Sequence, residues 1–243
     1  ITFTQLLLKE NLKITWGLPS GTRSEALDQE VLHLLKMAGL QRLTYAPESG
    51  SQATLRRIKK MVQLPRMLQS MRSAVKEGIG VKCNIIFGFP GETTWDIAQT
   101  YLFLVRCAWV GMHDLALFTF MPYPGSELFF DLVKAGRIPK DSKLYDAILS
   151  GNILGDLIGM RSWSEHISNR RLQFMVVFGV FWFYGWQFLF RPQRFLSMTW
   201  RLVRSAPEGT MDILLDGIIR NFIKGRRRGI SSAEIASETV NHE

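Results

Sequence analysis

Apolar residues follow two different periods in the first 135 residues, and the two periods alternate along the chain. Short apolar runs of the kind that form buried strands lie at 12–18, 41–47, 80–89 and 114–122. Between them, apolar residues recur every three or four positions, which predicts helices at 24–37, 52–60, 65–78 and 94–110, with another that ends near 134. This alternation is typical of parallel βα units. We therefore predict an α/β fold, part of a TIM-like barrel of parallel strands, followed by a helical C-terminal region.

Each predicted strand is followed by a short stretch rich in Gly, Pro and polar residues. These stretches read PSGTRS, PESGS, GFPGET and PYPGSEL. Glycine and proline could simply turn the chain from strand to helix at each place. However, the carboxyl ends of parallel strands meet at one edge, so all four stretches would face the same side. Four such loops, each with polar or charged residues, favour a binding site there.

The chain departs from this alternation after residue 135, and its charge changes as well. Residues 1–160 hold 18 Lys and Arg against 14 Asp and Glu, whereas residues 161–228 hold 12 against 4. We predict a barrel part (1–135), a basic and helical part that is a candidate for membrane association (136–228), and a flexible acidic tail (229–243). A basic region suits a phosphate-rich partner such as anionic lipid. No nucleic-acid motif accompanies it, so no nucleic-acid partner is expected.

Residues 172–190 are nineteen consecutive residues without a charge, bracketed by Arg171 and Arg191. A helix of this length is about 28 Å long, close to the thickness of a bilayer core. It also carries two Gln, two Gly and nine aromatic residues, and aromatic residues prefer the membrane interface to the bilayer centre. Two alternatives stay open, a helix inserted in or lying on a membrane, and a buried or oligomer-forming helix. The basic stretch that follows extends the predicted membrane contact to 172–204.

Two cysteines, Cys83 and Cys107, show neither a metal-binding spacing nor a disulfide framework. A reducing, cytoplasmic setting is therefore expected. The chain begins at Ile1 directly on an apolar run, and we expect it to be a fragment of a longer protein.

Several residues at the strand ends carry candidate chemistry. Glu48 would point from its strand end into the site, and Ser49-Gly50-Ser51 would offer N–H groups to an anion or hydroxyl at a helix start. Gly88 and Gly91 would leave the backbone open to a flat ligand. Glu92 could orient a ligand, or it could be a first-turn Glu favoured by the helix dipole. A Walker-type phosphate loop is excluded, because its Gly-Lys-Ser/Thr sequence is missing.

Three stretches together resemble the core domain of radical S-adenosylmethionine (radical SAM) enzymes. They are YAPESGSQATLRRIKK (45–60), VKCNIIFGFPGET (81–93) and FTFMPYPGSELF (118–129). They are most similar to the cobalamin-binding branch, which includes the anaerobic magnesium-protoporphyrin cyclase type. In that family GFPGET-like and PYPGS-like stretches lie against the adenine, and the PESGS-like strand end lies near the ribose and methionine. The resemblance implies cofactor contacts at Glu48, Ser49, Gly50, Ser51, Lys60, Ile86, Gly88 and Glu92. Arg23 and Tyr123 could face substrate or cofactor, and we predict them as substrate contacts.

One departure from the family concerns its iron–sulfur cluster. The family's three cysteines, spaced Cys-x3-Cys-x2-Cys, hold a 4Fe–4S cluster, and this sequence has no such triad. We expect the cluster loop and any cobalamin domain to precede Ile1 in the parent protein, and the fragment alone to be inactive. No metal ligand and no catalytic residue is assigned within this chain.

By this resemblance the parent protein cleaves SAM reductively at the cluster, for methylation, cyclisation or another C–H functionalisation. The implied cofactors are SAM and the cluster, and whether cobalamin is used stays open. The implied partners are an apolar or tetrapyrrole-like small molecule and a reductase or ferredoxin-type electron donor. Two alternatives remain: a non-catalytic, membrane-associated binding or scaffold protein with a βα sheet, and an intact phosphate-binding enzyme without radical chemistry.

Overall fold

The computed structural model describes residues 2–10, 12–20, 26–138, 161–204, 206 and 209–217. Within these ranges four parallel strands form one sheet in the order β1-β2-β3-β4. The strands are β1 (Trp16–Leu18), β2 (Leu40–Glu48), β3 (Gly80–Phe87) and β4 (Asp114–Thr119). The helices are α1 (Thr2–Lys9), α2 (Gln29–Met37), α3 (Gln52–Arg57), α4 (Leu64–Lys76), α5 (Thr94–Val110), α6 (Glu127–Lys134), α7 (Asn169–Phe190) and α8 (Pro192–Val203). The predicted α/β class, with parallel strands and helices between them, is confirmed.

Local signals begin and end the helices that follow the strands. Thr93 and Asp96 form a capping box at the start of α5, in which each side chain accepts a hydrogen bond from the other residue's backbone N–H. Gly111, at φ 100°, ends the same helix in the left-handed conformation. Asp28 and Ser126 cap α2 and α6 in the same way as Thr93 does. These caps fix the residue at which each helix begins.

The core lies between the sheet and the helices on one of its faces. On β3 the buried residues alternate with half-buried ones, so that one face of the strand packs against the helices. Val81, Cys83, Ile85 and Phe87 form that buried face. Ile86 and its neighbour on β4, Phe118, are half-buried and point to the opposite face.

Helix α7 packs along α5 and β4 through one of its faces. The buried positions on this face are Leu172, Val176, Gly179, Phe183, Tyr184 and Gln187. A Cβ at Gly179 would lie 2.7 Å from a methyl carbon of Leu117, so glycine lets α7 approach the sheet without a shift of that side chain. The Tyr184 hydroxyl donates to Asp114 over 2.5 Å, and the Gln187 amide donates to the Met112 carbonyl over 2.8 Å.

By length and composition α7 is the one helix in the described ranges that could cross a membrane, although a third of its most apolar stretch is buried inside the protein. One face of α7 is thus packed on the domain and the other is exposed, and contact of this helix with a membrane stays a prediction.

The chain divides into two compact units, residues 1–190 and 191–243. In the second unit, Arg201 of α8 pairs with Asp212 at 2.6 Å, and the Arg204 guanidinium lies 4.4 Å from the centre of the Trp200 ring. The boundary predicted at residue 135 stays a prediction, because residues 139–160 lie outside the described ranges. The predicted acidic tail, 229–243, also lies outside them.

Candidate functional site

The end of β2 holds a carboxylate and an ammonium group side by side. Glu48 adopts a positive φ of 72°, which is rare for a residue other than glycine, and it follows an irregularity in the pairing of β2 with β3. Its carboxylate lies 3.1 Å from the Lys60 ammonium. Both side chains are part-exposed, at 22% and 36%. This pair therefore keeps access to solvent, which a ligand needs.

The next three residues are used to fix the loop to α5. Ser49 and Ser51 are completely buried. The Ser51 hydroxyl donates to Asp96 over 2.5 Å and accepts from the Thr54 N–H, so it caps α3. The Ser49 hydroxyl lies 3.3 Å from the Thr100 hydroxyl. Since both side chains already have partners within the protein, a cofactor contact here would come from the backbone.

Gly50 lies where the loop comes closest to α5. Its N–H donates to the Thr100 hydroxyl over 3.0 Å. A Cβ at this position would lie 2.6 Å from both the Thr100 Cα and the Phe103 Cβ. Only glycine fits between these atoms, so the loop position depends on it.

Asp96 connects this loop to the start of α5. Burial raises the pKa of its carboxyl, but hydrogen bonds from Ser51 and Thr93 outweigh that effect, and the pKa lies below its ordinary value. The Arg57 guanidinium, 3.9 Å away, favours the charged form as well. Asp96 is therefore a charged, hydrogen-bonded anchor. Asp96 was not singled out from the sequence, and nothing local indicates its bond to Ser51.

Within the GFPGET loop, the glutamate side chain bonds to the loop's own backbone. Glu92 is completely buried, and its Oε2 accepts a 2.6 Å hydrogen bond from the Gly88 N–H. Its Oε1 is also buried and has no hydrogen-bond partner among the described residues. Burial raises the pKa of Glu92 to about 7, although N–H groups of Gly88 and Phe89 lower it in part. This carboxyl therefore titrates near neutral pH at the end of β3.

Contacts within the protein explain why positions 88 and 91 are glycine. Gly88 and Gly91 adopt positive φ angles of 88° and 69°. A Cβ on Gly88 would lie 2.9 Å from a methyl carbon of Leu172, and a Cβ on Gly91 would lie 3.2 Å from the Arg57 side chain. The predicted reason was an open backbone for a flat ligand. Side chains of the protein itself lie where a Cβ would stand at both glycines, and a ligand contact to their backbone stays a prediction.

A segment far along the chain, the strap (residues 161–168), lies on the GFPGET loop. The Trp163 N–H donates to the Gly88 carbonyl over 3.2 Å, and the Ser164 hydroxyl donates to the Glu92 carbonyl over 2.6 Å. Glu165 accepts from the Gly91 N–H over 2.8 Å and also pairs with Arg137. The strap therefore holds the loop at three backbone positions, Gly88, Gly91 and Glu92. No sequence signal indicated it, because its partners lie more than seventy residues earlier.

Ser164→Ala is expected to lower the free energy of unfolding by about 1–2 kcal/mol, because the buried Glu92 carbonyl loses its donor. Amide hydrogen exchange at residues 88–92 should also become faster. Calorimetry and exchange mass spectrometry on the purified chain measure both effects. The control is Ser197→Ala, whose exposed hydroxyl bonds only within α8. Equal losses in both variants would contradict the role of the strap.

The remaining predicted residues lie near the same edge or outside the described ranges. Tyr123 is 57% exposed in the loop after β4, and its carbonyl accepts from the Ser126 hydroxyl. That loop touches the GFPGET loop, since the rings of Phe89 and Phe120 lie 4.9 Å apart. Ile86 points to the half-buried face of the sheet. Arg23 lies outside the described residues. The loops after β2, β3 and β4 thus form one edge.

The cysteines do not fit a cluster site. Cys83 and Cys107 are both completely buried, and burial raises the pKa of the Cys83 thiol, which disfavours the thiolate that iron requires. In the described ranges, no three His, Cys, Asp or Glu residues come together as a metal site. The described residues therefore do not hold a 4Fe–4S cluster.

Part of this sheet edge lies in a region of the chain that matches a known protein family. Residues 4–104 match the sequence profile of the Radical SAM superfamily. This part of the chain is therefore similar to the core domain of radical SAM enzymes. The match includes β1 to β3, the GFPGET loop and most of α5. The resemblance seen in the sequence is thereby confirmed.

Two curated relatives share this domain. The chain is 29% identical over 139 residues to cytidylyl-2-hydroxyethylphosphonate methyltransferase of Streptomyces wedmorensis, covering 54% of the chain and 26% of that protein. It is 26% identical over 132 residues to the anaerobic magnesium-protoporphyrin IX monomethyl ester cyclase of Rubrivivax gelatinosus, covering 54% and 23%. The chain thus spans about a quarter of the length of these relatives.

Among solved structures, the radical SAM enzyme coproporphyrinogen III oxidase of Escherichia coli is similar. It is 20% identical with a TM-score of 0.44, over 61% of this chain and 34% of that one. Radical SAM proteins are enzymes that use SAM and a 4Fe–4S cluster, which agrees with the predicted cofactors.

Proposed function

We propose that the protein to which this chain belongs is a radical SAM enzyme, and that residues 2–138 bind SAM and substrate. The main support is that the radical SAM match, residues 4–104, includes two of the three polar loops that meet at this edge, those after β2 and β3. When SAM and a reduced 4Fe–4S cluster are bound together, they supply a carbon radical that can attack an unactivated C–H bond. The cluster ligands belong to a part of the protein outside this chain. Use of cobalamin as a second cofactor stays an open part of the proposal.

The residues at the β2 end suit the amino-acid part of SAM. The Lys60 ammonium can pair with a carboxylate, and the Glu48 carboxylate can accept from an amino group. In the ligand-free protein the two groups neutralise each other at 3.1 Å. When an amino acid binds, its carboxylate can pair with Lys60 and its amino group with Glu48, so that no charge is left unpaired.

The other proposed contacts have different support. Ser49, Gly50, Ser51, Gly88 and Glu92 shape and hold the loops, so any contact they make with SAM is assigned to their backbone. Ile86 offers an apolar surface on the open face of the sheet. Tyr123 and Arg23 remain proposed substrate contacts. The proposed substrate is a small molecule of apolar or tetrapyrrole-like character.

The enzyme is proposed to be cytoplasmic and to receive its electron from a reductase or ferredoxin-type protein. The membrane contact predicted for residues 172–204 also stays a proposal. Within that range, the exposed face of α7 supports a contact at the membrane surface, because the opposite face is packed on the domain.

Lys60→Ala is expected to weaken SAM binding by about tenfold, because a charge-assisted contact to the carboxylate is lost. The measurement is equilibrium dialysis of SAM with the full-length protein, reconstituted with iron and sulfide under anaerobic conditions. Lys59→Ala is the matched control, since the neighbouring ammonium pairs with Glu127 at 2.5 Å instead. Equal effects of the two substitutions would overturn the assignment of Lys60.

The proposed activity has its own test in the same preparation. Iron and sulfide content should correspond to one 4Fe–4S cluster, and its electron paramagnetic resonance spectrum should change when SAM is added. A full-length protein that takes up no cluster would overturn the radical SAM function and favour the scaffold alternative. Altered SAM affinity with an intact cluster signal would instead concern the Lys60 assignment alone.

A further inference from the structure

The outer surface of α5 and α7 is rich in large apolar residues. On α5, Trp95, Leu102 and Trp109 recur every seven residues and are 67%, 56% and 59% exposed. On α7, Phe174 and Leu189 are 68% and 69% exposed. The intervening exposed positions on α7 are Val177, Phe178 and Phe181. A surface helix normally turns polar residues outward, so these two neighbouring helices depart from that rule.

Aromatic contacts join the two stripes into one face, called here the α5–α7 face. The rings of Tyr101 and Phe178 lie 5.4 Å apart, and those of Trp109 and Phe190 lie 5.0 Å apart. The Trp182 indole N–H donates to the Tyr101 carbonyl over 3.2 Å. These contacts hold the exposed aromatic rings on a rigid support.

Exposed arginines lie on both helices of this face. Arg106 lies between Leu102 and Trp109 on the exposed side of α5, and Arg170 and Arg171 are exposed at the start of α7. No Asp or Glu occurs at residues 97–112 or 167–190. A groove of about 730 Å³ runs beside the face between α4 and α5, and it adds two more cations, Arg72 and Lys76, to the same side.

We propose that the α5–α7 face rests on the surface of an anionic phospholipid bilayer without crossing it. Tryptophan and phenylalanine favour the boundary between headgroups and acyl chains, and arginine pairs with lipid phosphates. A second copy of the chain fits less well, because a two-fold contact through this face would bring its arginines together.

The packed face of α7 favours a contact at the membrane surface over a helix that crosses the membrane. Tyr184 bonds to Asp114, and the Gln187 amide bonds to the Met112 and His113 carbonyls. A spanning helix would have to break these bonds and place Gln187 in hydrocarbon, where an unpaired polar group is costly. The proposal does not depend on SAM binding. It adds to the proposed function the place where the reaction occurs, the membrane surface.

Flotation of the full chain with vesicles tests the proposal. The vesicles are pure phosphatidylcholine or phosphatidylcholine with about one third phosphatidylglycerol, at low and high salt. We expect binding to the anionic vesicles that weakens at high salt. A combined Phe174→Asp and Leu189→Asp variant should lose about tenfold or more of this binding. Met37→Asp, a 64% exposed apolar residue on α2, is the matched control.

A charge variant keeps the test valid if the apolar variant folds poorly. Arg106→Glu with Arg170→Glu should weaken binding to anionic vesicles by about tenfold or more, while circular dichroism stays unchanged. The proposal would be overturned if both variants bound vesicles as well as the parent chain does, or if binding to neutral and anionic vesicles were equal. So would a chain that floats with neither vesicle and sediments as a dimer that the Phe174→Asp variant dissociates, because a second copy would then cover the face.

Discussion

Gly50→Ala lowers the free energy of unfolding by about 3 kcal/mol or more, on the physical argument that an added Cβ has no room. The new atom would lie 2.6 Å from the Thr100 Cα and 2.6 Å from the Phe103 Cβ. Neither is the end of a flexible side chain, so α5 and the loop after β2 must move apart. That movement also breaks the hydrogen bond from the Gly50 N–H to Thr100.

Denaturant unfolding of the chain measures this effect, and the chain offers a matched control. Gly185 lies inside α7, and a Cβ there meets nothing within 4 Å. Gly185→Ala should therefore be neutral or stabilise the protein by up to about 1 kcal/mol, since alanine favours a helix over glycine. If Gly50→Ala behaves like the control, the close approach of the loop to α5 is wrong. In the full-length enzyme the same substitution should also weaken SAM binding, because it displaces Glu48.

Glu92 makes the stability of the chain depend on pH. Its pKa is about 7 when folded and near the ordinary 4.5 when unfolded, so the folded chain holds the proton more tightly. The resulting stabilisation is complete below about pH 4.5 and is lost as the pH rises through about 7. The total change for this one group is about 3 kcal/mol.

Glu92→Gln is expected to remove that change, because the amide resembles the protonated carboxyl and does not ionise. The measurement is the free energy of unfolding of parent and variant from about pH 5 to pH 8. The difference between them should shift in favour of the variant as the pH rises. Glu127→Gln, which alters a largely exposed carboxylate paired with Lys59, serves as the control. A constant difference between Glu92→Gln and the parent would show that the buried carboxyl is charged throughout.

Much of the barrel part could be predicted because its signals are local. Strands of apolar residues, the Thr93 and Asp96 capping box, and Gly111 after α5 each act within a few residues. The common edge of the loops followed from strand direction alone, because parallel strands end on the same side. The sheet edge that carries the candidate site could thus be predicted from the sequence.

The roles of individual residues in that site could not be predicted from local signals. Ser49 and Ser51 looked like ligand contacts, yet their side chains bond to Thr100 and Asp96, about fifty residues away. Gly88 was predicted to leave its backbone open to a ligand, which stays a prediction, and Leu172 lies where its Cβ would stand. In each case the deciding partner comes from a distant part of the chain, and residue type alone does not reveal it.

The sequence by itself determined the alternation of strands and helices, the polar edge and the radical SAM resemblance, because these depend on periodicity and short motifs. Only the tertiary structure decided the position of α7, since an apolar run of this length satisfies a bilayer and a protein core equally well. The close approach at Gly179 and the hydrogen bonds of Tyr184 and Gln187 attach one face of α7 to the domain. The other face stays exposed because the described helices reach only one side of it.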